Sequence, residues 1–425
     1  MSRVLVYTSP ARGHLYPIVP IAEELARRGH EIALRSLSSQ IELVRELGFD
    51  SESIGERIER IEHDDFRARS KPAKVKRALS VFVARAEHEV PDMLAAIEAE
   101  HPDLLLVDCM AWGALAVAQA WGGPWAQYVP YPIPLPSADA PPFGPGLSPA
   151  RGPLGRLRDR AVRPFVAGSV ERGVLGPLNA IRARVGVGSL GSVSDMFTLA
   201  PLLLYLTAEP FEYPRRDWPA CVRMVGPCCW DPPAAAPEWL AGIERALLLV
   251  SASSERQNDT RLVTTALEAF ADEKVQLVAT VPADGIAGIE VPANARLERF
   301  LPHTPLLART ACAITHGGAG VTQKALAAGV PVCAVPFGRD QHEVARRVET
   351  ADAGTRLPAA RLTPERLRAK VHEAITKRPG AQRVADGFSA AGGPVIAADA
   401  LEALIGARAT PSENPPPWPP YRLSR

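Results

Sequence analysis

The sequence has little excess charge of either sign. Its 48 Lys and Arg residues nearly balance 47 Asp and Glu residues, which leaves a formal net charge of +1. A nucleic-acid partner is therefore not expected, because binding to a phosphate backbone needs many cations on one face. The 425 residues are 47% apolar and 22% charged, a composition typical of globular proteins with ordinary cores. At roughly 100–200 residues per domain, this length predicts two or three domains.

Cysteine is scarce and scattered. The six cysteines form no C-x-x-C pair, and four of them stand in or beside apolar runs. A zinc site or a disulfide framework needs regular spacing, so we expect free, buried thiols of a cytoplasmic protein and no metal site.

Targeting and membrane segments are not expected either. The chain runs directly into a strand-like VLVYT segment, without a basic region and an apolar helix in front of it. The longest uncharged stretch, residues 109–138, is interrupted by Gly122-Gly123-Pro124 and later prolines. A lipid-exposed helix would hardly tolerate these, and we predict no membrane span.

What the sequence does contain is a repeated strand, turn and helix pattern. One series opens with VLVY, an amphipathic helix that ends at Gly29, and EIALRS, and a second series opens near Ala246. Unalternating apolar runs such as LLLVD at 104–108 fit strands covered on both faces of a parallel sheet. We therefore predict an α/β protein with two Rossmann-like domains at 1–224 and 240–392, a linker at 225–239, a helix at 393–409 that could cross back to the first domain, and a Pro-rich tail at 410–425.

The most informative string is ACAITHGGAGVTQKALAAGVPVCAVPFGRDQ at 311–341. A strand ends near His316, glycines follow, and a helix is expected from about Val321 to Ala328. Glycines allow close approach of the backbone, and a helix N-terminus offers free amides and a positive dipole end. This predicts a diphosphate site that is neither a G-x-G-x-x-G dehydrogenase turn nor a P-loop.

H-G-G-x-G, then A-L-x-x-G-V-P and a D-Q pair, resembles the donor signature of family 1 glycosyltransferases of the GT-B fold, the bacterial natural-product branch related to UDP-glycosyltransferases. Matches such as RGHLYPIVPIAEELARRGHEI and ARLERFLPHTPLLART extend over about four hundred residues. The resemblance implies two facing, doubly wound parallel-sheet domains with a cleft between them, the first binding the acceptor and the second the nucleotide sugar.

The same resemblance implies the site residues. His14 corresponds to the catalytic base and Asp108 to the residue that orients it and stabilises its charge. We also reason that His14, after a strand and at the start of a helix, would keep a neutral ring because of the helix dipole. The donor-binding residues that the resemblance implies are Gly13, Ser254, Phe300 under the base, the Leu301 backbone, His303 near the ribose, His316, Gly317, Gly318, Gly320 and Val321 at the diphosphate, and Asp340 and Gln341 at the sugar hydroxyls.

Three positions depart from the family pattern. Val321 stands where Ser or Thr is common, so the phosphate contact is lost or passes to Thr322. Lys324 replaces a Glu that often contacts the ribose, and Val344 replaces an Asn after the D-Q pair. These departures concern the recognition of the nucleotide.

The resulting hypothesis is the transfer of a hexose, with glucose as the first choice, from a UDP- or dTDP-sugar to a hydroxyl of a hydrophobic natural product. The transfer would be inverting and would need no metal and no cofactor. The acceptor would be of polyketide, macrolide, ansamycin or flavonoid type. The acceptor site is expected along segment 60–90 and the Pro-rich loop 130–160, with Tyr128, Tyr131, Ile133 and Phe143. The alternatives are a catalytically silent partner protein, a sugar-nucleotide epimerase and a lipid-linked glycosyltransferase, and the chain would be a monomer or homodimer.

Overall fold

A computed structural model describes residues 1–68, 70–171, 173–255, 257, 259–281 and 288–407. The tail predicted at 410–425 lies outside the described residues, as do the last two positions of the helix predicted at 393–409.

The first domain is built on a parallel sheet of seven strands in the order β3-β2-β1-β4-β5-β6-β7. The strands are β1 (Arg3–Tyr7), β2 (Glu31–Ser36), β3 (Asp50–Ser53), β4 (Leu104–Asp108), β5 (Trp125–Val129), β6 (Leu202–Tyr205) and β7 (Val222–Met224). Its helices are α1 (Arg12–Leu15), α2 (Val19–Arg27), α3 (Ile41–Glu46), α4 (Glu56–Glu59), α5 (Lys71–Glu100), α6 (Trp112–Trp121), α7 (Gly152–Glu171) and α8 (Leu175–Val185).

The second domain repeats the pattern with six parallel strands in the order β10-β9-β8-β11-β12-β13. They are β8 (Ala246–Ser251), β9 (Val275–Thr280), β10 (Ala295–Glu298), β11 (Thr310–Thr315), β12 (Val332–Ala334) and β13 (Gly354–Arg356). The helices are α9 (Thr260–Phe270), α10 (His303–Leu307), α11 (Ala319–Ala327), α12 (Gln341–Thr350), α13 (Pro364–Ile375), α14 (Arg378–Ala390) and α15 (Gly393–Gly406).

The apolar runs became the central strands, as predicted. Every residue of β4 and β5 is buried, because helices cover both faces of the sheet. The fold class inferred from the sequence, two doubly wound α/β domains, is confirmed. The edge strands β3 and β7 carry no such run, and sequence reasoning did not find them.

The chain passes between the domains twice, and the two passages touch. The first follows β7, and the second joins α14 to α15, where the Gly393 amide donates to the Val225 carbonyl at 2.7 Å. Helix α15 then packs on the first domain, where Arg28 forms ion pairs with Asp399 and Glu402. The stretch Arg378–Gly406 is, by length and composition alone, apolar enough to cross a membrane. The structure divides it into α14 and α15.

A buried ion-pair cluster also joins the domains. Arg347 on α12 contacts both carboxylate oxygens of Glu212, which follows β6, at 3.0 and 2.9 Å, and Glu343 at 3.1 Å. Arg347 and Glu212 are almost completely buried. Burial raises the pKa of Glu212, but the charges of Arg347 and Arg215 and the hydrogen bonds to Glu212 together outweigh burial and lower it. Glu343 in turn accepts the Gly144 and Gly146 amides of the Pro-rich loop at 2.7 and 2.9 Å.

Candidate active site

A cavity of about 1020 Å³ lies between the domains. In each sheet the strand order reverses beside the first strand, between β1 and β4 and between β8 and β11. Doubly wound sheets bind ligands at this switch point, outside the carboxyl ends of the strands. The cavity wall includes the segments that follow these four strands, with Ser9–His14, Met110, Ser251–Ala252, Ser254–Glu255, His316 and Gly318–Val321. Both switch points therefore open on one cavity.

His14 and Asp108 form a close pair at the switch point of the first sheet. The His14 Nδ1 atom lies 3.0 and 2.8 Å from the two carboxylate oxygens of Asp108. Asp108 is fully buried, whereas the His14 side chain is one-fifth exposed and lines the cavity. Because Asp108 holds Nδ1, the other ring nitrogen, Nε2, is left to meet a ligand.

The surroundings of Asp108 favour its charged form. Its oxygens also accept the Ser9 amide at 3.0 Å, the Met110 amide at 2.8 Å and the Tyr128 hydroxyl at 3.3 Å. Burial raises the pKa of Asp108, but His14 and these amide bonds outweigh burial and leave the pKa below its ordinary value. The carboxylate is therefore fixed in position and negative.

The pKa of His14 is raised, opposite to the sequence-based expectation. Burial lowers it, but the charge of Asp108, its hydrogen bond and the more distant carboxylates of Asp340 and Glu255 outweigh burial. The helix argument was wrong because α1 has only four residues and His14 is the third of them. The carboxylate, rather than the helix end, sets the proton affinity of this ring.

The Cys109 thiol lies beside the pair and completes a cluster with donor atoms within 4.8 Å of one another. Burial raises the pKa of Cys109 well above its usual range, and the thiol donates to the Tyr131 hydroxyl at 3.4 Å. A metal would need the thiolate and free carboxylate lone pairs. The hydrogen bonds that Asp108 already accepts make this cluster a poor metal site.

His316 occupies the equivalent place in the second domain. It follows β11, is 7% exposed, and its Nδ1 atom lies 3.3 Å from the Ser251 carbonyl at the end of β8. Burial lowers its pKa, so the ring is neutral and Nδ1 is the protonated nitrogen in this contact. Gly318 must lack a side chain, because a Cβ there would lie 2.3 Å from His316 Nε2.

Helix α11 begins with its N-cap at Gly318 and directs its first turn at the cavity, which Gly318, Gly320 and Val321 line. Gly317 does not line it, and its amide already donates to the Thr315 hydroxyl at 3.1 Å. The predicted helix position was two residues late at its start. The free amides at this end of the helix are therefore those of the first turn of α11. The Gly317 amide is not one of them.

The segment after β10 lines the cavity with Phe300, Leu301 and His303. Gly13 and Ser254 line the cavity too. Phe300 is 46% exposed, which is unusual for an aromatic ring in a cavity wall. His303 Nε2 lies 3.1 Å from the Thr280 hydroxyl, and burial lowers its pKa to about 4. An exposed aromatic face and a neutral imidazole suit a base and its sugar.

Lys324 faces this part of the cavity with its charge already paired. Its Nζ atom lies 2.5 Å from both Asp231 Oδ1 and the Trp230 carbonyl. The other Asp231 oxygen accepts the Thr304 amide and hydroxyl at 2.9 and 2.5 Å. Both carboxylate oxygens of Asp231 are thus occupied by protein donors.

The other two departures also have structural explanations. Thr322 cannot take over a phosphate contact, because it is fully buried and its hydroxyl lies 3.2 Å from that of Thr315. Val344 is fully buried in the core of the second domain, where an Asn would need polar partners. Val321 keeps its place at the cavity wall without a hydroxyl.

The Asp340-Gln341 pair divides between the cavity and the core. Asp340 occupies the N-cap position of α12 and lines the cavity, where burial raises its pKa more than a backbone hydrogen bond and the nearby charges of Arg339 and His14 lower it. The Gln341 side chain turns inward, accepts the Phe337 and Gly338 amides, and donates to Gln257. The structure thus contradicts the expectation that Gln341 meets a sugar hydroxyl.

The predicted acceptor residues divide in the same way. Tyr131 and Phe143 line the cavity. Tyr128 and Ile133 lie behind its wall, fully or almost fully buried, and the Tyr128 hydroxyl supports Asp108 and the His14 carbonyl. These two expectations were wrong because every residue of the central strand β5, Tyr128 included, is buried in the first domain. Ile133 belongs to the hydrophobic core of that domain.

Part of the apolar wall comes from segment 60–90, which sequence reasoning named without its residues, and part comes from residues that sequence reasoning missed. Helix α5 and its neighbours contribute side chains that share an apolar or aromatic character, namely Val75, Leu79, Phe82, Met110, Trp112, Val193 and Phe197. A hydrophobic ligand fits this half of the cavity, while the second domain supplies mostly polar groups.

Sequence reasoning missed an ion pair across the cavity. Arg339 of the second domain lies 2.9 Å from Asp65 of the first, and both line the cavity. Arg339 has a backbone φ of 51°, a left-handed conformation that costs energy for a residue with a side chain. Neither residue stands in a recognisable motif, so only the folded chain reveals the pair.

Comparison with known proteins places these features in a family. The protein-family model described as "Erythromycin biosynthesis protein CIII-like, C-terminal domain" matches residues 264–404 of the chain. The chain is 32% identical over 425 residues to 4'-demethylrebeccamycin synthase of Lentzea aerocolonigenes, covering 95% of this chain and all of that protein. The crystal structure of the glycotransferase of kitacinnamycin is similar with a TM-score of 0.73 and 25% identity, over 95% of this chain and 99% of that one. The glycosyltransferase VinC in complex with dTDP has a TM-score of 0.69 at 21% identity, over 95% and 100%.

Two doubly wound domains whose switch points share one cavity are the arrangement of the GT-B fold, which the kitacinnamycin glycotransferase shares. The likeness to 4'-demethylrebeccamycin synthase extends over nearly the whole chain and shows that the chain is a glycosyltransferase. The chain belongs to the family 1 natural-product glycosyltransferases, and the resemblance found in its sequence is confirmed.

Proposed function

We propose that the protein transfers a sugar with inversion from a nucleoside diphosphate to a hydroxyl of a hydrophobic small molecule. The observation that carries the proposal is the His14–Asp108 pair at one switch point, facing the His316 and α11 end of the other across one cavity. A single displacement needs a base on the acceptor side and charge stabilisation on the donor side.

In this mechanism Nε2 of His14 takes the acceptor proton as the acceptor oxygen bonds to the anomeric carbon. The bond from that carbon to the diphosphate oxygen breaks at the same time, and the diphosphate leaves with the electron pair. Asp108 stabilises the imidazolium through Nδ1, as in a His–Asp dyad. The first-turn amides of α11 and His316 receive the negative charge, so the proposed transfer requires no metal ion and no cofactor.

On the donor side we propose that Phe300 stacks on the base and His303 lies near the ribose. Lys324 is paired with Asp231, and both oxygens of Asp231 already accept hydrogen bonds from protein groups, so neither residue offers an acceptor to a ribose 2′-hydroxyl. This favours a dTDP-sugar over a UDP-sugar, and VinC was solved with dTDP. For the sugar, the Asp340 carboxyl group lines the cavity and can pair with a hydroxyl, so a hexose such as glucose with at least one hydroxyl near Asp340 is proposed.

The acceptor is proposed to lie against the apolar wall with Tyr131 and Phe143, and a polyketide, macrolide or ansamycin aglycone suits this surface. The test combines thermal shift with dTDP and UDP and a panel of sugar nucleotides and aglycones, read by product mass. His14→Ala should retain dTDP binding and lose transfer, while the control His372→Ala on α13 should retain both. Transfer by His14→Ala at the wild-type rate would contradict the mechanism.

The silent-partner alternative makes a different prediction in the same assay. It expects dTDP binding without product for the wild type with every acceptor and sugar in the panel. The intact His14–Asp108 pair, with four protein groups holding the carboxylate, favours the enzyme.

A further inference from the structure

Helix α7 exposes an apolar face that neither the core nor the proposed chemistry uses. Leu154, Leu157 and Phe165 are 80%, 64% and 78% exposed. At 3.6 residues per turn, their spacing of three and eight residues places them on one face of the helix. The opposite face carries Asp159, which is buried, and Val166, which lines the cavity. The apolar side therefore faces solvent directly.

Exposed arginines stand to one side of this face. Arg160, three residues after Leu157, borders the apolar row, and Arg156, one turn before Arg160, lies farther round the helix. Arg158, in contrast, pairs with Asp159. Within the described part of the chain, no acidic side chain forms an ion pair with Arg156 or Arg160. An apolar row with a basic border is the pattern of a helix that lies in the surface of an anionic membrane.

The side of α7 opposite to this face borders the cavity. Val166 of α7 and Lys74 and Val75 of α5 line the cavity, and Val75 is 37% exposed. These residues stand next to the apolar wall proposed for the acceptor. The near-zero net charge of the whole chain does not reveal this local concentration of cations.

We propose that α7 docks the protein on an anionic lipid surface, with Leu154, Leu157 and Phe165 in the interface and Arg156 and Arg160 against the lipid phosphates. The docking does not depend on the proposed transfer.

The test measures sedimentation of the full chain with vesicles of phosphatidylcholine alone and of phosphatidylcholine with about 30% phosphatidylglycerol. We expect binding to the anionic vesicles that weakens as salt is raised. Removing both charges with Arg156→Gln and Arg160→Gln should lower the partition coefficient about fivefold per arginine. The matched control is Arg223→Gln with Arg245→Gln, two exposed arginines elsewhere on the surface.

Leu157→Gln with Phe165→Gln should lower the partition coefficient about tenfold. Val395→Gln, at a residue that is 49% exposed on α15, is its control and should not change it. Thermal unfolding of each variant checks that the fold is retained. Equal binding to both vesicle types, or equal binding by the α7 variants, would overturn the proposal. A lipid-free dimer that Leu157→Gln with Phe165→Gln dissociates would also overturn it, because the face would then belong to a second copy.

Discussion

Replacing Asp108 with Asn removes the charge that holds His14 while it keeps the size of the side chain. Asp108 contributes both oxygens to His14 and also accepts the Ser9 and Met110 amides. The Asn side chain has one acceptor and one donor group, so at least one buried N–H loses its partner. This should cost about 1–3 kcal/mol of unfolding free energy.

The effect on the pH profile has a defined sign. A base must be neutral, so wild-type activity is lost as pH falls through the raised pKa of His14. In Asp108→Asn the largest opposing influence on burial is gone, and the pKa of His14 falls. The acid limb of kcat/KM should therefore move to lower pH, while the plateau drops about a hundred- to ten-thousandfold, the contribution of a positioned general base.

The assay is the pH dependence of kcat/KM for transfer, with unfolding free energies measured in parallel. Asp92→Asn is the control, since Asp92 also accepts two hydrogen bonds, from Tyr7 and Gly55, but does not line the cavity. It should lose stability and keep the wild-type acid limb. An acid limb at the same pH in Asp108→Asn and the wild type would refute the reasoning that His14 titrates under the influence of Asp108.

Three further predictions follow from the cavity and the domain contact. Gly318→Ala should lower the affinity for dTDP, measured by calorimetry, about tenfold or more, because the new Cβ displaces the His316 ring. The control Gly176→Ala should leave that affinity unchanged, because a Cβ at Gly176 would have no atom within 4 Å. Arg347→Met should lower the unfolding free energy by about 3–5 kcal/mol in denaturant titration, since it removes the cation shared by the buried carboxylates of Glu212 and Glu343 and leaves only Arg215 beside Glu212. Arg346→Met, at a more exposed pair, should cost about 0–1 kcal/mol, and an equal cost would contradict the argument. EDTA should leave the transfer rate unchanged, and a loss that Mg²⁺ restores would contradict the metal-free mechanism.

Much of the fold could be predicted because buried parallel strands need unbroken apolar runs. LLLVD at 104–108 indicated both β4 and the position of Asp108 at its carboxyl end, and VLVY placed His14 at the neighbouring strand. Parallel strands end at one edge of a sheet, so both residues were expected at that edge, whereas their pairing was implied by the resemblance to the glycosyltransferase family. The edge strand Asp50–Ser53 has one buried residue and gave no such pattern.

Side-chain direction could not be predicted in the same way. Asp340 and Gln341 are adjacent in sequence, yet one lines the cavity and the other bonds to backbone amides behind it. The Asp65–Arg339 contact joins residues 274 positions apart on different domains. Such contacts depend on how the domains pack together, which no local pattern encodes.

The two chain passages between the domains lie side by side and are hydrogen-bonded to each other at Gly393 and Val225. Two neighbouring connections restrict the rotation of one domain against the other more than a single linker does. The Asp65–Arg339 pair adds a contact between the domains inside the cavity. The orientation of the two switch points towards each other therefore depends on the path of the chain as well as on the packing of side chains.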